Sequence, residues 1–116
     1  MYDNLYCKVY INSELEIEEL YKYINCRVSG RLEYIRAIKT DWGEIVLCKN
    51  SDFNPSKLEN NPEDFVFWRY YLEIEPEKGI DEARYIGQIS KLLEALNSEN
   101  IKVIASCDFE EEIEND

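Results

Sequence analysis

Strict alternation of apolar and polar residues marks two segments of the chain. Over residues 5–11, LYCKVYI, apolar side chains alternate with Tyr6, Lys8 and Tyr10. The same period of two, typical of a half-buried β-strand, returns over residues 64–74. In that second segment one face carries Val66, Trp68, Tyr70, Leu72 and Ile74, and the other carries Phe65, Phe67, Arg69, Tyr71 and Glu73.

Two other segments repeat their apolar residues at helical spacing. In the first helix the predicted buried stripe is Ile17, Leu20, Tyr21 and Ile24; in the second it is Tyr85, Ile86, Ile89, Leu92, Leu93 and Leu96. Ser13 and Glu16 have the spacing of a capping box, which predicts that the first helix begins just after Ser13. Asp81 is the predicted N-cap of the second helix. Ser29 and Gly30 mark a turn after the first helix.

The remaining segments are less clearly patterned. Residues 32–40 and 44–49 are predicted to be strands joined by a hairpin turn, in which Gly43 would accept a positive φ. Residues 50–63 contain prolines and asparagines and are predicted to be irregular. A last strand at 101–109 leads into an acidic C-terminal tail at 108–116.

This order of elements, β-α-β-β-β-α-β, predicts an α+β fold. A strand–helix–strand unit at each end favours a ferredoxin-like sandwich with a mostly antiparallel sheet, right-handed crossovers and both helices on one face. A chain of 116 residues is long enough for one hydrophobic core, so residues 1–116 are predicted to form a single domain.

The charge of the chain restricts its partners. With 25 acidic and 13 basic side chains, the formal net charge is −12. Such a field repels nucleic acids and anionic membranes, and it attracts a basic protein. The alternative, that the acidity only keeps the protein soluble, remains open.

The cysteines and the N-terminus indicate the compartment. Cys7, Cys26, Cys48 and Cys107 are widely spaced, form no CxxC pair and have no histidine to complete a mixed zinc site. Each lies in or beside an apolar stretch, where free cysteine behaves as a small hydrophobe. Neither a signal peptide nor a membrane span is recognisable. A cytoplasmic protein with reduced thiols and no metal or other cofactor is expected.

Catalytic chemistry finds little support in the sequence. Histidine is absent, and there is no GxSxG, P-loop or GxGxxG motif. Catalysis by a pair of carboxylates remains open, because no spacing singles out a pair. We therefore predict a non-enzymatic protein without catalytic residues.

A partner-binding surface is predicted on the sheet face opposite the helices, where aromatic side chains would gather. Trp42 in the hairpin turn and the acidic C-terminal side chains would extend it. The predicted contacts are Tyr6, Tyr10, Trp42, Phe67, Arg69, Tyr71, Asp108, Glu110, Glu111 and Glu112. Three alternatives stay open: cover by the loop 51–63, burial in a homodimer, or ordinary cross-strand pairs. For Trp42 a further alternative is that its side chain folds back over the core.

Three strings in the C-terminal half resemble a known group of proteins. They are RYYLEIE at 69–75, LLEAL at 92–96 and ASCDFE at 105–110. The pattern is similar to that of small bacterial immunity proteins, and this resemblance implies a protein that neutralises a cognate toxin by tight binding. It assigns no contact residues. The leading hypothesis is an immunity protein for a basic toxin, for example a nuclease, and the alternative is a homo-oligomeric ferredoxin-like domain that binds a small ligand.

Overall fold

The computed structural model describes residues 2–113 and has an α+β architecture with a six-stranded antiparallel sheet and three α-helices. The strands are β1 (Cys7–Asn12), β2 (Arg31–Glu33), β3 (Ala37–Lys39), β4 (Gly43–Lys49), β5 (Tyr70–Pro76) and β6 (Lys102–Ser106). The helices are α1 (Ile17–Val28), α2 (Pro55–Asn60) and α3 (Glu82–Ser98), with 3₁₀ turns at Phe65–Phe67 and Glu110–Glu112. In the part of the chain that is described, no helix is both long and apolar enough to cross a membrane.

The sheet order is β2-β3-β4-β5-β1-β6, and every neighbouring pair of strands is antiparallel. The register places Ala105, Val9, Leu72 and Leu47 in one row across β6, β1, β5 and β4. These side chains are at most 3% exposed and lie beneath the helices. One row of small and branched apolar residues therefore crosses the centre of the sheet.

Helices α1 and α3 pack on this same face and close the core. Their buried residues are the predicted stripes: Ile17, Leu20, Tyr21 and Ile24 in α1, and Tyr85, Ile86, Ile89, Leu92, Leu93 and Leu96 in α3. Asp81 caps α3 as predicted, since its carboxylate accepts a hydrogen bond from Arg84 N at 2.9 Å. The turn after α1 is also confirmed, with Ser29 in the left-handed region at φ 52°.

The predicted capping box at the start of α1 is wrong. The helix begins only at Ile17, and its N-cap Glu16 makes no side-chain capping bond. Ser13 Oγ instead accepts a hydrogen bond from Leu15 N within a turn. Side chains at the start of β5 and just before it hold this turn outside the helix, because Tyr70 donates to Leu15 O at 2.7 Å and Arg69 to Glu14 O at 3.1 Å.

The predicted strand at 32–40 is two short strands, so the sheet has one strand more than expected. Arg36, at φ 48°, lies in the turn between β2 and β3. The hydroxyl of Tyr21 lies 2.8 Å from the carbonyl oxygens of both Glu33 and Ala37, one on each strand. A side chain from α1 thus organises this turn, which the local sequence does not reveal.

The predicted irregular segment 50–63 contains a helix, α2. Asn54 is its N-cap and accepts a hydrogen bond from Lys57 N at 3.1 Å, and Pro55 begins the helix. Asparagine followed by proline is a helix-start signal, because the asparagine side chain caps and proline needs no N–H partner at the first position. The number of helices is therefore higher than predicted.

The predicted strand at 64–74 begins only at Tyr70. Phe65–Phe67 is a 3₁₀ turn, and Val66, expected in the core, is 40% exposed. From Trp68 onward the predicted alternation holds, with Trp68, Tyr70, Leu72 and Ile74 buried.

Gly43 begins β4 and does not have the positive φ predicted for it. Thr40 organises the preceding turn, since its Oγ1 accepts hydrogen bonds from Trp42 N and Gly43 N. A Cβ on residue 43 would lie 2.5 Å from Glu75 O. Glycine is therefore required by the close approach of β5.

The predicted acidic tail is folded as far as Ile113. Phe109 and Ile113 are buried in the core, at 0% and 4% exposure, on either side of the 3₁₀ turn that carries the acidic side chains. Residues 114–116, including Glu114 and Asp116 of the predicted tail, lie outside the described residues.

Candidate functional site

The sheet face opposite the helices carries a row of half-exposed side chains. The register aligns Ile104, Tyr10, Tyr71 and Cys48 across β6, β1, β5 and β4. All four are half-buried. An antiparallel sheet with one face packed and one face partly solvated has this pattern.

Three rings and a cation form a compact group on this face, which we call the aromatic cluster (Tyr10, Phe65, Tyr71 and Lys8). The ring of Tyr10 is centred 5.1 Å from that of Phe65 and 6.3 Å from that of Tyr71. Lys8 Nζ lies 4.2 Å from the Tyr71 ring centre and 5.0 Å from that of Tyr10. Cation–π contacts at such distances favour a fixed position for the lysine. Lys8 is a member of this surface that the predicted contact set lacked.

Tyr6 extends the cluster towards the end of the sheet where β5 finishes. Its hydroxyl donates to Glu73 Oε2 at 2.8 Å. Burial, together with this hydrogen bond and the negative charge of Glu73, raises the pKa of Tyr6. The structure therefore brings Tyr6, Tyr10 and Tyr71 together on one face, in agreement with the alternation seen in the sequence.

Phe67 and Arg69 do not belong to this group. Phe67 lies in the 3₁₀ turn, with Lys57 Nζ 4.6 Å from its ring centre. The Arg69 guanidinium lies over the ring of Tyr70 and 3.7 Å from a carboxylate oxygen of Glu16, on the side of α1. The prediction extended the period of β5 through a segment that is not a strand, and it was wrong for these two residues.

The exposed position predicted for Trp42 in the hairpin turn is also wrong. It is 2% exposed, and its ring is centred 6.1 Å from that of the buried Tyr85. The alternative, that Trp42 folds back over the core, describes its position.

Carboxylates gather around the N-terminal residues, where β5 ends, α3 begins and the chain leaves β6. Tyr2 N donates to Glu82 Oε1 at 3.1 Å, and the Tyr2 hydroxyl donates to Glu112. Cys107 N donates to Glu110 Oε1 at 3.1 Å. We call this surface the acidic end; its carboxylates are those of Glu73, Glu75, Glu82, Asp108, Glu110, Glu111 and Glu112, all exposed or half-exposed.

The tyrosine hydroxyls respond to the negative potential of the acidic end. The pKa of Tyr2 is raised to about 12. The causes are the hydrogen bond to Glu112, partial burial, and the negative charges of Glu112, Glu82 and Glu111. A phenolate there would lie among carboxylates, so the neutral phenol is favoured. A cationic group would be stabilised at the same place for the same reason.

Cysteines that are distant in sequence meet beside the acidic end. All four cysteines are free; Cys7 is buried and Cys107 is half-buried. Interaction with the thiol of Cys7 lowers the pKa of Cys107, although partial burial acts in the opposite direction. Cys26 is exposed, so the prediction that each cysteine acts as a small hydrophobe is wrong for Cys26.

The predicted contacts Asp108, Glu110, Glu111 and Glu112 are all exposed and lie together. Sequence reasoning missed Tyr2, Glu73, Glu75 and Glu82, because the strand ends that unite them are far apart along the chain. Among residues 2–113, no cluster of three metal-ligating side chains could hold a metal ion. Comparisons with models of known protein families, with curated proteins and with solved structures found no match to this chain.

Proposed function

We propose that this protein is a non-enzymatic acidic binding protein that docks a basic protein partner through the acidic end and the adjoining aromatic cluster. One observation carries the proposal: carboxylates from β5, α3 and the segment after β6 converge around Tyr2 and Tyr6, whose hydroxyls donate to Glu112 and Glu73. Burial is the largest cause of the raised pKa of Tyr6, and these carboxylates raise the pKa of both hydroxyls further. A surface that disfavours an added negative charge attracts a positive one.

The two parts of this surface have different tasks. The carboxylates steer a basic partner and accelerate association, by factors of about 10 to 1,000 at low salt. The half-exposed rings of Tyr10, Tyr71 and Phe65 supply apolar area next to the charges. Aromatic side chains that are surrounded by charged residues are the usual anchors of protein interfaces.

The particular partner we propose is a toxin, which makes this protein an immunity protein acting in the cytoplasm. The proposal rests on the resemblance of the strings RYYLEIE and ASCDFE to those of bacterial immunity proteins. The first string spans Arg69 and β5, and the second leaves β6 and enters the 3₁₀ turn, so both border the acidic end. A nuclease toxin would suit this surface, because its substrate-binding face is positively charged.

We also propose that the central part of the fold is a ferredoxin-like sandwich. The proposal is supported by the order β4-β5-β1-β6, in which α1 follows β1 and α3 joins β5 to β6. The hairpin β2–β3 would then be an extension at one edge of that sandwich.

The immobilised protein should capture a basic partner from an extract of its source cells at low salt. We expect recovery to fall steeply as salt is raised, because exposed charges are screened. The test variant Glu75→Gln/Asp108→Asn/Glu111→Gln should capture less. The matched control Glu19→Gln/Glu59→Gln/Glu94→Gln removes the same charge from exposed positions elsewhere and should behave as wild type.

Neutralisation is tested with the captured partner itself. Expressed alone, it should stop bacterial growth, and co-expression of this protein should restore growth, more weakly for the test variant than for the control variant. A captured partner that is harmless, or a complex indifferent to salt and to the test variant, would contradict the proposed function.

The half-exposed aromatic cluster also favours a second candidate, a homo-oligomeric domain that binds a small ligand. Two copies could bury Tyr10 and Tyr71 against each other. Light scattering on the purified protein distinguishes the candidates, since a stable dimer that Tyr71→Ser converts to a monomer would favour the oligomer over the toxin-binding monomer.

A further inference from the structure

A cleft of about 850 Å³ lies on the helix side of the sheet, away from the aromatic cluster. The end of α1, the start of β2, the turn between β3 and β4, and the middle of α3 form its walls. Volumes of about 300–1,000 Å³ are typical of small-molecule sites. The cleft is therefore large enough for an organic ligand.

The charge of the lining is opposite to that of the chain. Arg27, Arg31, Lys39 and Lys91 line the cleft, and they outnumber its acidic residues, Asp41 and Glu77. In the whole chain the 25 acidic side chains outnumber the 13 basic ones. The basic residues that line the cleft are thus concentrated at one concave site of an acidic protein.

Exposed contacts engage most of the cationic groups of the cleft: Arg31 Nε donates to Glu33 Oε2 at 3.1 Å, and Arg27 Nε donates to the Tyr23 hydroxyl at 3.2 Å. Arg27 lies 3.8 Å from Glu99 and Lys39 lies 3.7 Å from Glu77, and all four side chains are between 40% and 53% exposed. Exposed pairs of this kind contribute little to stability, so a ligand can replace them. Within residues 2–113, no carboxylate lies within 4.0 Å of Lys91.

Apolar and neutral polar groups complete the lining. Trp42 and Leu92, each 2% exposed, form a closed apolar floor. The side chains of Ser29 and Gln88 add neutral hydrogen-bond donors at the wall. The lining as a whole is mostly charged and polar, which suits an anionic ligand better than an apolar one.

We propose that this cleft binds a small organic anion with phosphate or carboxylate groups. Arg27 and Arg31 would hold an oxyanion through paired N–H donors, and Lys39 and Lys91 would act as point charges. The proposal does not depend on the acidic end, because it concerns other residues and a ligand of opposite sign.

Calorimetric titration of the full chain at low ionic strength tests the site, with pyrophosphate and citrate as separate probes. We expect saturable binding of one molecule per chain. The probe that binds with higher affinity shows whether the site prefers phosphate or carboxylate groups. Either preference supports the site. The double variant Arg31→Gln/Lys91→Gln should weaken binding about tenfold or more, because charge-assisted hydrogen bonds are lost.

The matched control is Lys22→Gln/Lys49→Gln, which removes the same charge from exposed positions outside the cleft. It should bind as wild type, and so should the acidic-end variant. Since Arg31 and Lys91 are exposed, circular dichroism should show both double variants folded, and Lys91→Gln alone gives a second, milder test. The absence of saturable binding, or equal weakening by both double variants, would overturn the site.

Discussion

The hydroxyls of buried tyrosines connect elements that are distant in the sequence. Tyr70 on β5 donates to Leu15 O before α1, and the Tyr85 hydroxyl of α3 lies 2.6 Å from Leu5 O. Tyr21 reaches the backbone of β2 and β3. Each ring is buried while its polar tip finds a carbonyl, as buried tyrosines generally require. Many aromatic residues of this chain therefore serve the fold, and only a few remain on the sheet face opposite the helices.

The thiol of Cys107 should react with iodoacetamide at lower pH than that of Cys48. Both are half-buried, but interaction with the Cys7 thiol lowers the pKa of Cys107, while burial and Glu73 raise the pKa of Cys48. Alkylation requires the thiolate. Peptide mapping by mass spectrometry across a pH series measures both profiles.

Cys7→Ala removes the neighbouring thiol that lowers the pKa of Cys107, so the pH profile of Cys107 should move upward. Cys26→Ala, at an exposed position on α1, is the control and should leave the profile in place. An unshifted Cys107 profile in Cys7→Ala would contradict the interaction between the two thiols.

Two glycines show how packing between elements, and not residue type, sets the effect of a substitution. Gly43 faces the backbone of β5, whereas a Cβ on Gly87, inside α3, would meet nothing within 4 Å. Alanine at position 43 would therefore push β4 and β5 apart, and alanine at 87 would only reduce the freedom of the unfolded chain.

Gly43→Ala should lower the free energy of unfolding by about 1–3 kcal/mol, the usual cost of overpacking. Gly87→Ala should raise it by about 0.4–1 kcal/mol. Urea denaturation followed by circular dichroism measures both. Equal effects of the two substitutions would contradict the close approach of β4 and β5.

The predicted face of α3 is tested by neighbouring residues. Leu93 is fully buried and Glu94 is exposed. Leu93→Ala should cost about 2–5 kcal/mol of unfolding free energy, because it leaves a cavity in the core. Glu94→Ala should change it by no more than about 0.5 kcal/mol. Equal urea midpoints for the two variants would show that the helix face is wrongly assigned.

At the scale of the whole molecule, charge is distributed unevenly. The carboxylates of the acidic end raise the pKa of Tyr2, while basic side chains line the cleft beside Trp42. The two surfaces have opposite signs and distinct residues. The basic protein partner and the small anion that we propose would therefore not compete for the same residues.

Stability should fall in alkaline solution. The pKa values of Tyr2, Tyr6 and Tyr85 are raised above the usual value of about 10, that of Tyr2 to about 12. Above pH 10 the unfolded chain therefore binds fewer protons than the folded one, and the free energy of unfolding decreases with pH. The contribution is complete below pH 10 and is lost as the pH rises through the folded pKa values.

Denaturation at a series of pH values measures this loss, and absorbance at alkaline pH follows the tyrosines directly. Glu112→Gln should lower the pKa of Tyr2 towards its usual value, while Glu94→Gln should not. A stability independent of pH between 10 and 12 would contradict the raised pKa values.

Local periodicity was sufficient for the strand β1, the buried stripes of α1 and α3, and the cap at Asp81, because each depends on residues close together in the chain. Tertiary structure decided the rest. The turn within 32–40 depends on the hydroxyl of Tyr21, and Arg69 is drawn away from the sheet face by Glu14 and Glu16.

The surfaces also differ in whether the local sequence or the tertiary structure determines them. The alternation of residues 5–11 and 70–74 was sufficient to place Tyr6, Tyr10 and Tyr71 on one face, since successive side chains of a strand point to opposite sides. The acidic end and the basic cleft each unite residues from distant elements. Only the folded chain brings those charges together, because their proximity comes from strand pairing and helix packing and not from spacing in the sequence.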